Sequence, residues 1–226
     1  MFRNSVLKCS SLYSPLRDNL RMENVCIRLG KRGRVCFPII EFLVLYCLMV
    51  QIIDEREVGI DLDRKIRDFL ANVFPDWQDI FREHRRWHKT APVFTALSEI
   101  DGRIIGHVAV VVRAITTTWN FRYYVASIQG VAVDPDYRRS GLAHQLLAKA
   151  LDEAKRRGFA YSILYCKEPL VGFYASQGWK LTDDHVVMRN EEDQPISMRS
   201  NCPMYFELTD EPFPEGPLDV HNFQYK

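Results

Sequence analysis

One stretch constrains the fold more than any other in these 226 residues: Val131-Ala132-Val133-Asp134-Pro135-Asp136-Tyr137-Arg138-Arg139-Ser140-Gly141-Leu142-Ala143. It leaves a β-rich run, turns through Asp-Pro, and enters a helix with Leu142, Leu146, Leu147, Ala150, Leu151 and Ala154 on one face, ended by Gly158. A strand, Tyr161–Cys166, follows at once. The unit therefore reads as a strand–helix–strand crossover between parallel strands. Arg138-x-x-Gly141-x-Ala143 falls at the helix start, where unpaired N–H groups point outward and the macrodipole adds partial positive charge. Small residues at Gly141 and Ala143 let a phosphate approach the backbone, and Arg138 and Arg139 flank it, which makes an anion cradle. The stretch has neither the Gly-Lys-Ser/Thr of a P-loop nor the three glycines of a dinucleotide fingerprint. On their own, these few degenerate positions favour an ordinary connection with a solvated Arg pair.

The rest of the chain divides into two unlike pieces. Residues 1–48 carry eight basic against three acidic residues and four of the six cysteines, leaving 22 basic against 26 acidic residues in 49–226. The apolar run Phe42–Val50 is about half of what a spanning helix needs, Glu41 interrupts it upstream, and no small-residue cleavage site follows. No membrane association is expected. The leader reads either as a poorly ordered extension or as residues upstream of a start at Met49, and the fresh strand Val50–Ile53 favours the second. Beyond it, Ile60, Leu62, Ile66, Phe69, Leu70 and Val73 recur at helical spacing before Pro75. A second helix is predicted over Asp76–Lys89, then a hairpin of Val93–Ile100 and Ile104–Arg113 about Asp101-Gly102, and a strand Tyr123–Val133. Short strands are expected near 179–181, 186–188 and 204–208, ahead of a Pro-rich acidic tail.

A second motif, Gly172-Phe173-Tyr174-Ala175-Ser176-Gln177-Gly178-Trp179, lies about thirty residues beyond the first. Together, in this order of elements, the two resemble the GNAT family of N-acetyltransferases over roughly Val50–Leu208. The resemblance implies an α/β fold: a mixed, mostly antiparallel central sheet with flanking helices, and two splayed parallel strands that hold acetyl-coenzyme A as acyl donor. It implies that the backbone of Arg138, Arg139, Ser140, Gly141, Leu142 and Ala143 binds the pyrophosphate. It implies further that Val131, Ala132 and Val133 pair with the pantetheine arm, with a backbone N–H near Val131 facing the thioester carbonyl. Tyr174 matches the tyrosine that protonates the departing thiolate; a thiol near 8.5 and a phenol near 10 make that transfer feasible. A core tyrosine with a hydrogen-bonded tip is the structural alternative.

Two departures stand out. Many members carry a carboxylate on the strand read as Tyr123–Val133, where this chain has Ser127 and Gln129, and Glu168 stands where the family often has Asn. A base must come from elsewhere or act through water. Glu83 and His84, on the second helix bordering the acceptor pocket, are the candidates. A hydrogen-bonded core histidine is the more common fate of such a residue as His84. His84 and His88 have the spacing of paired metal ligands but no third ligand, so no metal is expected. Cys166 is read as a packed thiol. The tail is similar, over a short stretch, to aminoglycoside 2′-N-acetyltransferases and nodulation acyltransferases, which would let Glu215 and Asp219 face a cationic acceptor; a solvated acidic tail is the plainer reading.

The expected activity is direct transfer of an acetyl group to a primary amine of a small molecule in a ternary complex. Transfer of a longer acyl chain to an amino sugar, and a non-catalytic acyl-coenzyme A sensor, are the alternatives. The acidic body disfavours nucleic acid. Exposed strands near the C-terminus leave a homodimer open, and two cysteines in 49–226 fit a reducing cytoplasm.

Overall fold

The computed structural model describes residues 24–28, 34–38, 50–85, 90–117, 119–182, 186–189, 194–196 and 201–222. The chain divides into two units, 1–48 and 49–226. In the first, β1 (Asn24–Arg28) and β2 (Arg34–Pro38) form an antiparallel hairpin with Cys26 opposite Cys36.

The second unit begins with β3 (Val50–Asp54) and α1 (Ile60–Val73), which buries Ile66, Phe69 and Leu70 and stops where Pro75 follows. The next helix, α2 (Gln78–Glu83), is shorter than the periodicity predicts: it ends at Glu83, and His84 has extended backbone. The end of the range predicted for it, residues 86–89 with Trp87 and His88, lies outside the described residues. β4 (Phe94–Ile100) and β5 (Arg103–Thr117) form the expected hairpin, with Asp101 and Gly102 both at positive φ. β5 runs beyond Arg113 because Ile115, Thr116 and Thr117 are β-branched and find a partner strand.

β6 (Arg122–Val133) pairs antiparallel with β5, and α3 (Leu142–Arg156) crosses over to β7 (Tyr161–Cys166), parallel to β6. α4 (Val171–Ala175), β8 (Lys180–Leu181), β9 (Val186–Arg189), β10 (Pro195–Ile196), β11 (Cys202–Glu207) and β12 (Leu218–Asn222) complete the unit. The tail is therefore not a solvated extension. β12 lies between β5 and β9 and buries Leu218 and Val220. Asp219 forms a two-point ion pair with Arg189 at 2.9 Å, so its carboxylate is already engaged.

The ten strands β3–β12 make one mixed sheet in which β6–β7 and β9–β12 are the parallel pairs. One face carries α3, whose Leu142, Leu146, Leu147 and Ala150 pack on Phe94, Ala96, Val108, Val110 and Ile128. On the other face, α1 and Phe81 of α2 cover Leu97, Ile104 and Ala132 at one end, while Phe213, Leu218 and Val220 cover Ile115, Val125 and Ile163 at the other. Arg157 ties the C-terminal end of α3 to Glu153 at 2.7 Å and to Asp54 of β3 at 3.2 Å.

Candidate active site

The site is built where the sheet fails to close. β6 and β7 pair only through Ala126–Ser162 and Ser127–Ile163, and the Ser162 hydroxyl donates to the Ala126 carbonyl at 2.7 Å at that junction. Past these residues no pairing joins the two strands, while the opposite edge of β6 stays paired to β5 as far as Val133. A fork opens, with the main chain of residues 128–133 along one side. Val131 and Val133 pack toward α3, and Ala132 packs under α1. The β5–β6 register breaks between His107 and Ala109, opposite Gly130, which takes a φ of 61°. Such a bulge re-aims the backbone beyond it.

β6 then leads into a fixed turn. Asp134 is buried, pairs with Arg103, and accepts a hydrogen bond from the Asp136 amide at 3.0 Å. Arg138 lies exposed with its Nε 3.4 Å from the Val133 carbonyl. Arg139 and Gly141 both have positive φ, 62° and 84°, so the chain curls before Leu142 starts the helix. Ser140 Oγ donates to the Tyr137 carbonyl at 2.6 Å and accepts from the Leu142 amide at 3.4 Å. The amides of Arg139, Gly141, Ala143 and His144 have no acceptor among the described residues. The first turn of α3 contains no acid to offset the positive end of the dipole. The stretch read as an anion cradle is thus basic, and Arg138 to Gly141 are exposed.

Tyr174 lies on α4 with 6% of its surface exposed, its ring edge-on to Phe173 at 5.0 Å and to Trp179 at 6.2 Å. Burial pushes its pKa upward, and proximity to Cys166 adds to this. The phenol is therefore protonated at neutral pH. Its hydroxyl makes no hydrogen bond among the described residues, unlike that of Tyr161, which donates to the Pro212 carbonyl at 3.0 Å. A structural tyrosine would be expected to anchor its tip. Cys166 is a buried thiol opposite Cys202 on β11 and close to the Met204 sulfur, at 3.7 Å. Burial raises its pKa, so it is packed and protonated.

Glu83 closes α2 with an exposed side chain, and His84 follows, half-buried, outside the helix. The two consequently do not share a helical face. What holds this segment is Arg85, buried and bonded to Glu55 and, at 2.9 Å, to Asp63 of α1. Among the described residues no cluster of His, Cys, Asp and Glu could hold a metal ion, and no helix is long and apolar enough to cross a membrane.

Sequence reasoning missed His107. It stands on β5 with 1% exposure, and its Nδ1 lies 2.7 Å from the Gly130 carbonyl, so the neutral ring donates there and secures the bulge at the mouth of the fork. Desolvation pulls its pKa down to about 4, despite that hydrogen bond, and the charge of Arg85 adds to the fall. A lone histidine within an apolar strand carries no signal by itself; its pairing with a glycine on the next strand becomes visible only once the register is known.

Residues 62–179, the run from α1 through the fork and cradle to Trp179, match the model of the Acetyltransferase (GNAT) family. The chain belongs to that family. Mycothiol acetyltransferase of Thermobifida fusca is 30% identical over 109 residues, 47% of this chain, and the match spans only 34% of that relative's length. Among solved structures, Escherichia coli YhbS, a GNAT N-acetyltransferase in complex with coenzyme A, superposes with a TM-score of 0.52 at 19% identity, covering 76% of this chain and 90% of YhbS. Escherichia coli ElaA gives a TM-score of 0.51 at 17% identity, covering 70% of this chain and 98% of ElaA. At these identities the likeness is one of fold, and it extends to the mostly antiparallel sheet with flanking helices expected of a GNAT domain.

Proposed function

We propose that residues 49–226 form a catalytic GNAT domain that transfers an acetyl group directly from acetyl-coenzyme A to a primary amine of a small molecule in a ternary complex. The observation that carries this reading is the fork: a parallel strand pair that separates after two residues and opens beside a cluster of unpartnered amides flanked by Arg138 and Arg139. The residues present suit the donor. Amides of Arg139, Ser140, Gly141, Leu142 and Ala143, with the Arg138 and Arg139 side chains, would hold its pyrophosphate. The backbone of Val131, Ala132 and Val133 would pair with its amide-bearing arm as a strand does. When bound, the donor supplies an activated thioester.

The chain's own groups then serve the transfer. The Val131 N–H stabilises negative charge on the acyl oxygen as the amine nitrogen attacks the carbonyl carbon. As the C–S bond breaks, the Tyr174 hydroxyl gives its proton to the thiolate, and the proton lost by the amine restores the phenol. His84 or Glu83 takes the proton from an incoming ammonium, directly or through water. Cys166 and Cys202 face each other in register as free thiols, which favours a reducing, cytoplasmic setting.

The test is coenzyme A release in an amine panel, with donor binding followed by calorimetry. Tyr174→Phe should lower kcat by roughly 10²–10⁴-fold while donor affinity stays within about twofold. A protein that does not bind acetyl-coenzyme A would refute the reading. A second reading rests on Ser127 and Gln129, which leave β6 without a carboxylate. Tight donor binding with no turnover of any amine would make the protein an acyl-coenzyme A sensor.

A further inference from the structure

Arg113 is the bulkiest fully buried side chain among the described residues, with 2% of its surface exposed. No carboxylate pairs with it there, no hydrogen bond is made by its guanidinium, and Nη1 is sealed from solvent without an acceptor. Arg85, also buried and also with an orphaned Nη1, differs in being bonded to two carboxylates. Burial lowers the Arg113 pKa only to about 10, so it remains a cation at neutral pH. A desolvated, uncompensated charge is among the costliest features a fold can carry, and an anion brought in from outside would relieve that cost.

Its position says what that something touches. Arg113 is opposite Val125 of β6, on the sheet face away from α3, and is close enough to Tyr165 of β7 for each to act on the other's charge. Tyr165 lies two residues past Ile163, the last residue of β7 paired with β6. Arg113 therefore lies on this face beside the closed base of the fork, within range of the Tyr165 phenol's charge. Ser127 and Gln129 share this face, and Gln129 Nε2 and Thr95 Oγ1 are further buried polar atoms without partners. The apolar clusters on the same face omit Ser127 and Gln129, whose polar side chains alternate with the apolar register partners Val111 and Ala109 between them.

We infer that Arg113 receives an oxyanion of the acceptor, a carboxylate or a phosphate, so that the substrate is an amine with a negative group at its far end. This rests on the acetyltransferase reading and narrows it: the acidic composition favours a basic acceptor, and Arg113 adds an anion to it. Four residues of β6, roughly 13 Å, separate Ser127 from Val131, so the two ends of the acceptor are well apart.

The experiment measures coenzyme A release with acceptors offered in pairs: lysine, 6-aminohexanoate and diglycine against their carboxamides, and phosphoethanolamine against ethanolamine. The anionic member of at least one pair should be preferred by at least tenfold in kcat/KM, and the carboxylate and phosphate pairs separate the two sources of oxyanion. In Arg113→Met the preference should collapse through KM to within about twofold. Calorimetric donor binding shows that this variant is folded, and the paired comparison on the unaltered protein does not depend on it. Equal or better turnover of the uncharged members, turnover of neither member while other amines react, or an undiminished preference in Arg113→Met would each overturn the assignment. Failure of donor binding would instead remove the acetyltransferase reading itself.

Discussion

Acidification offers a quantitative test of how His107 holds the bulge. The ring is buried and neutral, with a pKa of about 4 against an ordinary 6.5, chiefly because burial desolvates its charged form. The unfolded chain binds a proton below pH 6.5, whereas the folded one does so only near pH 4. Stability is therefore fully present above pH 6.5 and is lost as pH falls toward 4. With 1.36 kcal/mol for each tenfold change, the loss is about 2 kcal/mol by pH 5 and about 3 kcal/mol near pH 4. For a typical urea slope of about 2 kcal/mol per molar, the unfolding midpoint should drop by roughly 1 M between pH 7.5 and 5. Asp54, whose carboxyl is held well below its usual range by hydrogen bonds from Arg56, contributes only at lower pH, outside this window. In His107→Asn, where the amide nitrogen can take the place of Nδ1 toward Gly130, the drop between pH 7.5 and 5 should shrink by about 2 kcal/mol. A decline of undiminished size in that variant, or none in the parent, would refute the argument that His107 is folded as a neutral donor.

Two further substitutions probe the frame around the site. A Cβ at Gly106 would stand 2.6 Å from Leu146 Cδ1 and 3.1 Å from Leu142 Cδ2, both buried under α3. Gly106→Ala should cost about 1–3 kcal/mol in urea unfolding and weaken donor binding, because the helix it displaces carries the cradle; Leu146→Ala in the same chain should recover part of the loss. Val220 is 1% exposed in β12, so Val220→Asp should destabilise the domain by about 3 kcal/mol or more, whereas a solvated tail would leave the unfolding midpoint unmoved.

The crossover was legible because each of its parts carries its own signal: helical spacing from Leu142 to Ala154, Gly158 at its end, and β7 at the residues expected. α1 stops before Pro75 for the same local reason. The second helix was overread because Trp87 and His88 continue the spacing of Phe81, while the structure spends Arg85 on Glu55 and Asp63 and breaks the helix first. β12 was hidden by its Pro-rich, acidic surroundings; its alternating Leu218 and Val220 acquire meaning only beside the upper half of β5. As candidates, Tyr174 and the stretch read as a cradle stood out through motifs. His107 and Arg113 did not, since their significance lies in which neighbours they have or lack, and neighbours across a sheet are set by register rather than by sequence distance.

The fork has a consequence for how such proteins change over time. In the proposed site its working surface is main chain: the residues of β6 beyond Ser127 would offer backbone groups to the donor, while the side chains of Ile128, Val131, Ala132 and Val133 pack toward the helices on either face. Substitutions there that preserve volume leave the donor-facing groups untouched. Selection can then hold the cleft while letting its residues drift, provided the bulge at Gly130 and the break in pairing endure. That tolerance is compatible with the low identities, 17% and 19%, at which ElaA and YhbS share this architecture.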